Sequence, residues 1–270
     1  MYQTHWGLTK TPFPSELDPE LFYEGVHERE ALARLRFLTD NRRRVGLLLG
    51  QRGLGKSHLL QVFASERRGQ GDDVALIDLL GLSTREFLWQ LGNELAASVR
   101  IEDEPLRLLR QLTDHLNENQ LQNRRTILLL DNIDQAGPDL QTHLVRFARL
   151  PVAGAGGLTL MFTANTAHTA RLQEALLELV ELQIALEPWD ELDTTGYLQL
   201  ALVEAGSERP VFTDQALSEL HRLADGIPRN INRLADEALL LGSPDPAQLI
   251  DPETVRAAHQ SLKMPSALSN

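Results

Sequence analysis

Residues 45–57 read Val45-Gly46-Leu47-Leu48-Leu49-Gly50-Gln51-Arg52-Gly53-Leu54-Gly55-Lys56-Ser57, an apolar run that passes straight into G-x-x-x-x-G-K-S. The run suits a strand buried on both faces. Beyond it Leu59, Leu60, Val62 and Phe63 recur at helical spacing. Strand, glycine-rich loop and helix is the setting in which this spacing cradles phosphate. The glycines let backbone N–H groups turn inward on an anion, the lysine faces the β- and γ-phosphates, and the serine hydroxyl can ligate Mg²⁺. The pattern predicts a nucleoside triphosphate site built from Gly50, Gln51, Arg52, Gly53, Leu54, Gly55, Lys56, Ser57 and the adjoining His58.

Similar apolar runs recur at Val45–Leu49, Val74–Leu79, Thr126–Leu130, Leu158–Thr163 and Leu182–Leu186. Helix-like stretches lie near 56–68, 84–98, 105–121, 138–149 and 168–179. Such alternation predicts an α/β fold, a parallel sheet flanked by helices. After Glu187-Pro188 the periodicity is helical only, punctuated by Gly206, Pro210, Gly226-Ile227-Pro228 and Gly242. Ile231, Leu234, Ala235, Ala238 and Leu239 fall on one helix face, with Pro228 suited to its first turn and Gly242 to its end. The expected organisation is an N-terminal segment and helix over 1–44, a phosphate-loop core over 45–188, a small helical lid over 189–263, and a disordered tail over 264–270.

A second segment, Ile127-Leu128-Leu129-Leu130-Asp131-Asn132-Ile133-Asp134, ends a strand in an acid. Ligands of open α/β sheets bind outside the carboxyl ends of the strands, so Asp131 is placed to hold Mg²⁺ opposite Ser57. Asn132 follows it, and an amide orients water but cannot take its proton. Asp134 could substitute if the backbone stays extended, or could cap the next helix or fix the turn to Gly137-Pro138. A further strand runs to Thr163-Ala164-Asn165, and either Asn165 or Thr163 could touch a γ-phosphate or water; an ordinary turn at Asn165 is the alternative. Arg229 occupies the first turn of a helix, where the macrodipole disfavours a cation unless an anion compensates. Arg233 lies one turn on, and a surface ion pair is the other reading of both.

Composition narrows the classes. At 270 residues with 42% hydrophobic content, the chain can bury one large core with a small appended domain. No run approaches the ~20 residues of a membrane span, and no leader pattern is expected. Cysteine is absent, which excludes disulfides and thiolate metal sites and fits a reducing cytoplasm. The net charge of −12 argues against a broadly basic surface. Arg42-Arg43-Arg44, Arg67-Arg68 and Arg124-Arg125 still leave room for a local nucleic-acid contact, which is not the favoured reading.

Together these motifs resemble the AAA+ ATPases. The opening residues narrow the match. His5-Trp6-Gly7-Leu8, Pro12-Phe13, Asp18-Pro19, Leu21-Phe22-Tyr23 and His27-Glu28-Arg29-Glu30-Ala31-Leu32, with Gly226-Ile227-Pro228-Arg229-Asn230-Ile231-Asn232-Arg233-Leu234, resemble the general secretion pathway protein A type, whose relatives serve pilus biogenesis and transposition. The resemblance spans roughly residues 1–262. It implies an AAA+ architecture with the phosphate-loop strand central and Mg·ATP clamped between core and lid. Lys56, Asp131, Asn132, Asn165 and Arg229 would then act on the phosphates, and Phe22, Tyr23 or His27 would pack on adenine. It also implies a protein partner complex and possible homo-oligomers. Two positions depart from the family pattern: Asn132 replaces an acid, and Leu179 stands where an arginine is usual, leaving Arg171 the nearest substitute.

Overall fold

The computed structural model describes residues 2–14, 18–150, 157–242 and 249–263. The tail expected to be disordered lies outside them. Contacts divide the chain into two compact units. One contains Asp18–Arg52 and Lys56–Leu186; the other contains Met1–Leu17, Gly53–Gly55 and Glu187–Asn270.

The larger unit holds five strands, β1 (Val45–Gly50), β2 (Asp73–Asp78), β3 (Thr126–Asp131), β4 (Leu158–Asn165) and β5 (Leu182–Ala185). They pair in the order β2-β3-β4-β1-β5, and every pairing is parallel. All residues of β1 and β3 are buried, which is why both read as unbroken apolar runs rather than alternating ones. The resemblance implied a central phosphate-loop strand. In the structure β1 is interior but lies next to the edge, and β4 is the middle strand. That arrangement puts the ends of β1 and β3 on either side of β4.

Helices α2 (Val26–Asp40) through α7 connect the strands; α1 (Tyr2–His5) belongs to the smaller unit. They are α3 (Lys56–Gly69), α4 (Thr84–Glu94), α5 (Pro105–Leu121), α6 (Pro138–Ala148) and α7 (Glu174–Leu177). Ser83 and Glu86 form a capping box that starts α4, while proline opens α5 and α6. Phe87, Leu108, Leu112 and Leu144, from α4, α5 and α6, share one core with the inner strands. The expected helix over 84–98 ends at Glu94, because Ala96 turns left-handed (φ 51°) and the Ala97 N–H closes on Gly92 O at 2.8 Å.

The expected helix over 168–179 is not continuous. A 3₁₀ turn covers Thr166–Arg171, an extended pair follows, and only Glu174–Leu177 is α-helical. The buried amide of Gln141 explains the break: its Nε2 donates to Arg171 O at 3.2 Å, and its Oε1 accepts from Gln173 N at 2.9 Å. Those bonds satisfy backbone groups outside a helical ladder.

In the smaller unit α8 (Glu191–Glu204), α9 (Asp214–Ala224), α10 (Pro228–Leu241) and α11 (Pro252–Lys263) pack on one another. The helical pattern read from Leu192 onward is broken by one parallel bridge, Phe212 to Ile250. Ile231, Leu234, Ala235, Ala238 and Leu239 form the buried face of α10, as their spacing requires, and Gly242 caps its end. Trp6 joins this unit through its indole N–H, which donates to Leu239 O at 3.0 Å.

Candidate phosphate-binding site

The loop between β1 and α3 has the backbone its glycines allow. Gly53 and Gly55 sit at φ +93° and +91°, a region costly to any residue with a Cβ. Gly50 instead ends β1 in ordinary strand conformation. Lys56 is buried, and its Nζ donates to Gly50 O at 2.7 Å and Gln51 O at 3.0 Å. A cation thus lies against the loop's own carbonyls, at the N-terminus of a fourteen-residue helix. Gln51 and Arg52 are exposed, whereas Leu54 is buried as an anchor.

Ser57 Oγ donates to Asp131 Oδ2 at 2.5 Å. This bond joins the loop to the end of β3. Two hard oxygen donors side by side are the ligand type that Mg²⁺ takes, so the residues present fit that ion. The other Asp131 oxygen accepts the Thr163 hydroxyl and the Asn132 N–H, the latter at 3.1 Å. The Asn132 N–H is also 3.0 Å from Thr163 Oγ1. Thr163 therefore positions Asp131 from below, since it is fully buried.

Asn132 is left-handed (φ 58°, ψ 45°), a conformation asparagine tolerates better than most residues. Its Nδ2 donates to Asp78 Oδ1 at 2.9 Å. Asp78 ends β2 opposite Asp131, and its Oδ1 also accepts the Leu80 N–H at 3.0 Å. Asp78 belongs to none of the motifs read from the sequence. The signal for it was available: β2, like β3, is an apolar run that stops at an acid.

Asp134 neither caps the next helix nor faces water. The turn Asn132–Ile133 breaks the extended backbone on which a role for it depended, and its side chain is buried. It accepts from Gln135 Nε2 at 2.7 Å and from the Asn165 N–H at 3.2 Å, and pairs with His168 Nδ1 at 3.0 Å. Burial alone would push this carboxyl up. The bonds from Gln135, His168 and the Asn165 N–H outweigh it and hold the group below the usual carboxylate range. Asp134 thus ties the end of β3 to the end of β4.

Asn165 Oδ1 accepts from Ala167 N at 3.1 Å, the turn geometry weighed as its alternative role. Its half-buried amide NH₂ makes no hydrogen bond within the described residues. His58 is held by the N-terminal segment: Nε2 lies 2.7 Å from Asp18 O, and Phe22 packs edge-on at 5.0 Å. Burial pushes the His58 pKa down, with the Asp18 carbonyl partly opposing it. Leu179 packs against the core, and Arg171 is exposed.

In the smaller unit Arg229 and Arg233 are exposed and make no ion pair among the described residues. The Arg229 N–H donates to Gly53 O at 3.2 Å. Gly53 has little room on that side, because an added Cβ would stand 3.0 Å from Ile227 Cγ2.

Residues 39–172, from the end of α2 through the strand carrying Asn165, match the family model described as an AAA domain. The chain is 30% identical over 249 residues to general secretion pathway protein A of Aeromonas hydrophila, covering 89% of this chain and 44% of that protein. It is 22% identical over 254 residues to an uncharacterized HTH-type transcriptional regulator of Methanocaldococcus jannaschii, covering 80% and 62%. The chain therefore spans less than two thirds of the length of either relative. Among solved structures it is similar to the Aeropyrum pernix ORC2 protein in its ADPNP–ADP complexes, with TM-score 0.71, 15% identity, and 96% and 75% of the two chains covered. It is also similar to Drosophila ORC bound to DNA, with TM-score 0.73, 16% identity, and 98% and 66% covered. At these identities the likeness establishes the AAA+ fold alone. Among the described residues no helix is long and apolar enough to cross a membrane.

Proposed function

We propose that this chain is an AAA+ ATPase that binds Mg·ATP at the Gly50–Ser57 loop and couples binding, with slow hydrolysis, to rearrangement of a protein partner complex. The observation that carries the reading is the Ser57–Asp131 hydrogen bond, made inside the segment that matches the AAA domain. Ser57 and Asp131 would hold Mg²⁺, which supplies charge neutralisation on the phosphates. Lys56 would exchange its loop carbonyls for β- and γ-phosphate oxygens. Gly50, Gln51, Arg52, Gly53, Leu54 and Gly55 would line the anion with backbone N–H groups, and His58 would stand at the base-proximal end. We assign Asn165, through its amide NH₂, and Arg229 to the γ-phosphate. The Arg229 N–H on Gly53 O supports the second assignment.

Slow turnover follows from two departures. The Asn132 side chain cannot accept a proton, and Leu179 leaves no guanidinium at the position where one is usual. Those departures favour a second reading, a nucleotide-gated interaction switch with negligible hydrolysis. One structural neighbour, Drosophila ORC, is bound to DNA. For this chain DNA association would require ATP-dependent, salt-sensitive DNA binding despite the net charge of −12.

The test is calorimetric ATP binding with and without Mg²⁺, beside steady-state phosphate release. Lys56→Ala should weaken ATP binding at least tenfold, and Ser57→Ala should abolish the Mg²⁺ dependence. Unchanged affinities in both variants would overturn the nucleotide site, while tight binding without release would select the switch.

A further inference from the structure

We infer that Asp78 supplies the proton acceptor that position 132 lacks. The inference rests on the nucleotide-site reading above. Asn132 directly follows the Mg²⁺-binding candidate Asp131, where a side chain carboxylate would serve as base for the attacking water. Its amide instead reaches to β2 and donates to Asp78 Oδ1. The Asp78 carboxylate therefore sits one hydrogen bond from the position that an acid at 132 would occupy. It is exposed to solvent, ends a strand in parallel register with β3, and is held in place by the Leu80 N–H.

The carboxylate ends β2 and the amide directly follows β3. The pair tolerates one acid only. A glutamate at 132 would lose the donor to Asp78, set two carboxylates side by side, and occupy a left-handed backbone unfavourable to it. With the amide NH₂ committed to Asp78, the carbonyl oxygen of Asn132 is left to orient water.

In the resulting step a water oxygen forms a bond to the γ-phosphorus, and the bond from that phosphorus to the β,γ-bridging oxygen breaks. The electron pair of the broken bond stays on ADP. One water proton passes to the Asp78 carboxylate and later to solvent, and the other remains on the phosphate. Asp131, the neighbouring carboxylate at the end of β3, is already engaged by the Ser57 and Thr163 hydroxyls.

The experiment compares the parent with Asp78→Asn. An asparagine there keeps an oxygen for Asn132 Nδ2 and for the Leu80 N–H, so the fold's two hydrogen bonds survive and only the proton-accepting group is lost. Mg·ATP affinity is measured by calorimetry, and kcat by phosphate release. We expect unchanged affinity and kcat down roughly 10²-fold, as for loss of a general base. Three results would overturn the assignment: a variant that turns over like its parent, a variant that loses ATP affinity together with kcat, or a parent that binds Mg·ATP without any turnover. A parent that does not bind ATP would overturn the nucleotide site itself, which the calorimetry reads separately.

Discussion

At the scale of single residues, the site was legible where chemistry needs a particular type at a particular spacing. Gly53 and Gly55 stand out because only glycine takes those φ angles, and Lys56, Ser57 and Asp131 because they lie at the start of α3 and the end of β3. Asp78 and Gln141 escaped because their roles depend on partners distant in sequence, Asn132 and the Arg171–Gln173 turn. His58 leads to a pH prediction. Its folded pKa is depressed by burial, so it stabilises the native state above its ordinary value of about 6.5 and withdraws that stability as pH falls through the lowered folded value. The parent should therefore lose more stability than His58→Gln between roughly pH 7 and pH 5. Urea midpoints across that range measure it, since glutamine retains an N–H for Asp18 O; parallel losses would refute it.

Among the elements, strands were read more reliably than the turns between them. The continuous apolar runs follow from burial on both faces, a property of the strand itself. The broken helix after β4 follows from the Gln141 side chain on α6, which no local pattern reveals. The turn from α9 to α10 is set by Asp225 and Gly226, both left-handed at φ 54° and 64°. A Cβ on Gly226 would stand 2.2 Å from Trp189 O, while Gly226 O accepts the Trp189 N–H at 2.9 Å. The contact is with backbone and cannot be relieved by a rotamer. Gly226→Ala should cost about 3 kcal/mol or more, the sum of left-handed strain and overpacking. Chemical denaturation would record this, and a loss under ~1 kcal/mol would mean that the turn relaxes at little cost.

For the whole molecule, the parallel sheet sets the order in which parts can exist. β1 has two neighbours, β4 and β5, and both come later in the chain: Val45 pairs with Leu160, and Leu47 pairs with Gln183. A nascent chain that has emerged only through β3 can pair β2 with β3, but it holds the Val45–Leu49 run with no strand on either side. Loop closure over such separations makes the pairing late. ATP affinity should therefore appear only in the final refolding phase, after the β2–β3 pair, and stopped-flow binding beside amide-exchange labelling would order the two. Affinity arising first would contradict the sheet order. During synthesis, an interrupted message would thus release a product with its most apolar strand bare, a substrate for chaperones and proteases before it could ever meet a nucleotide.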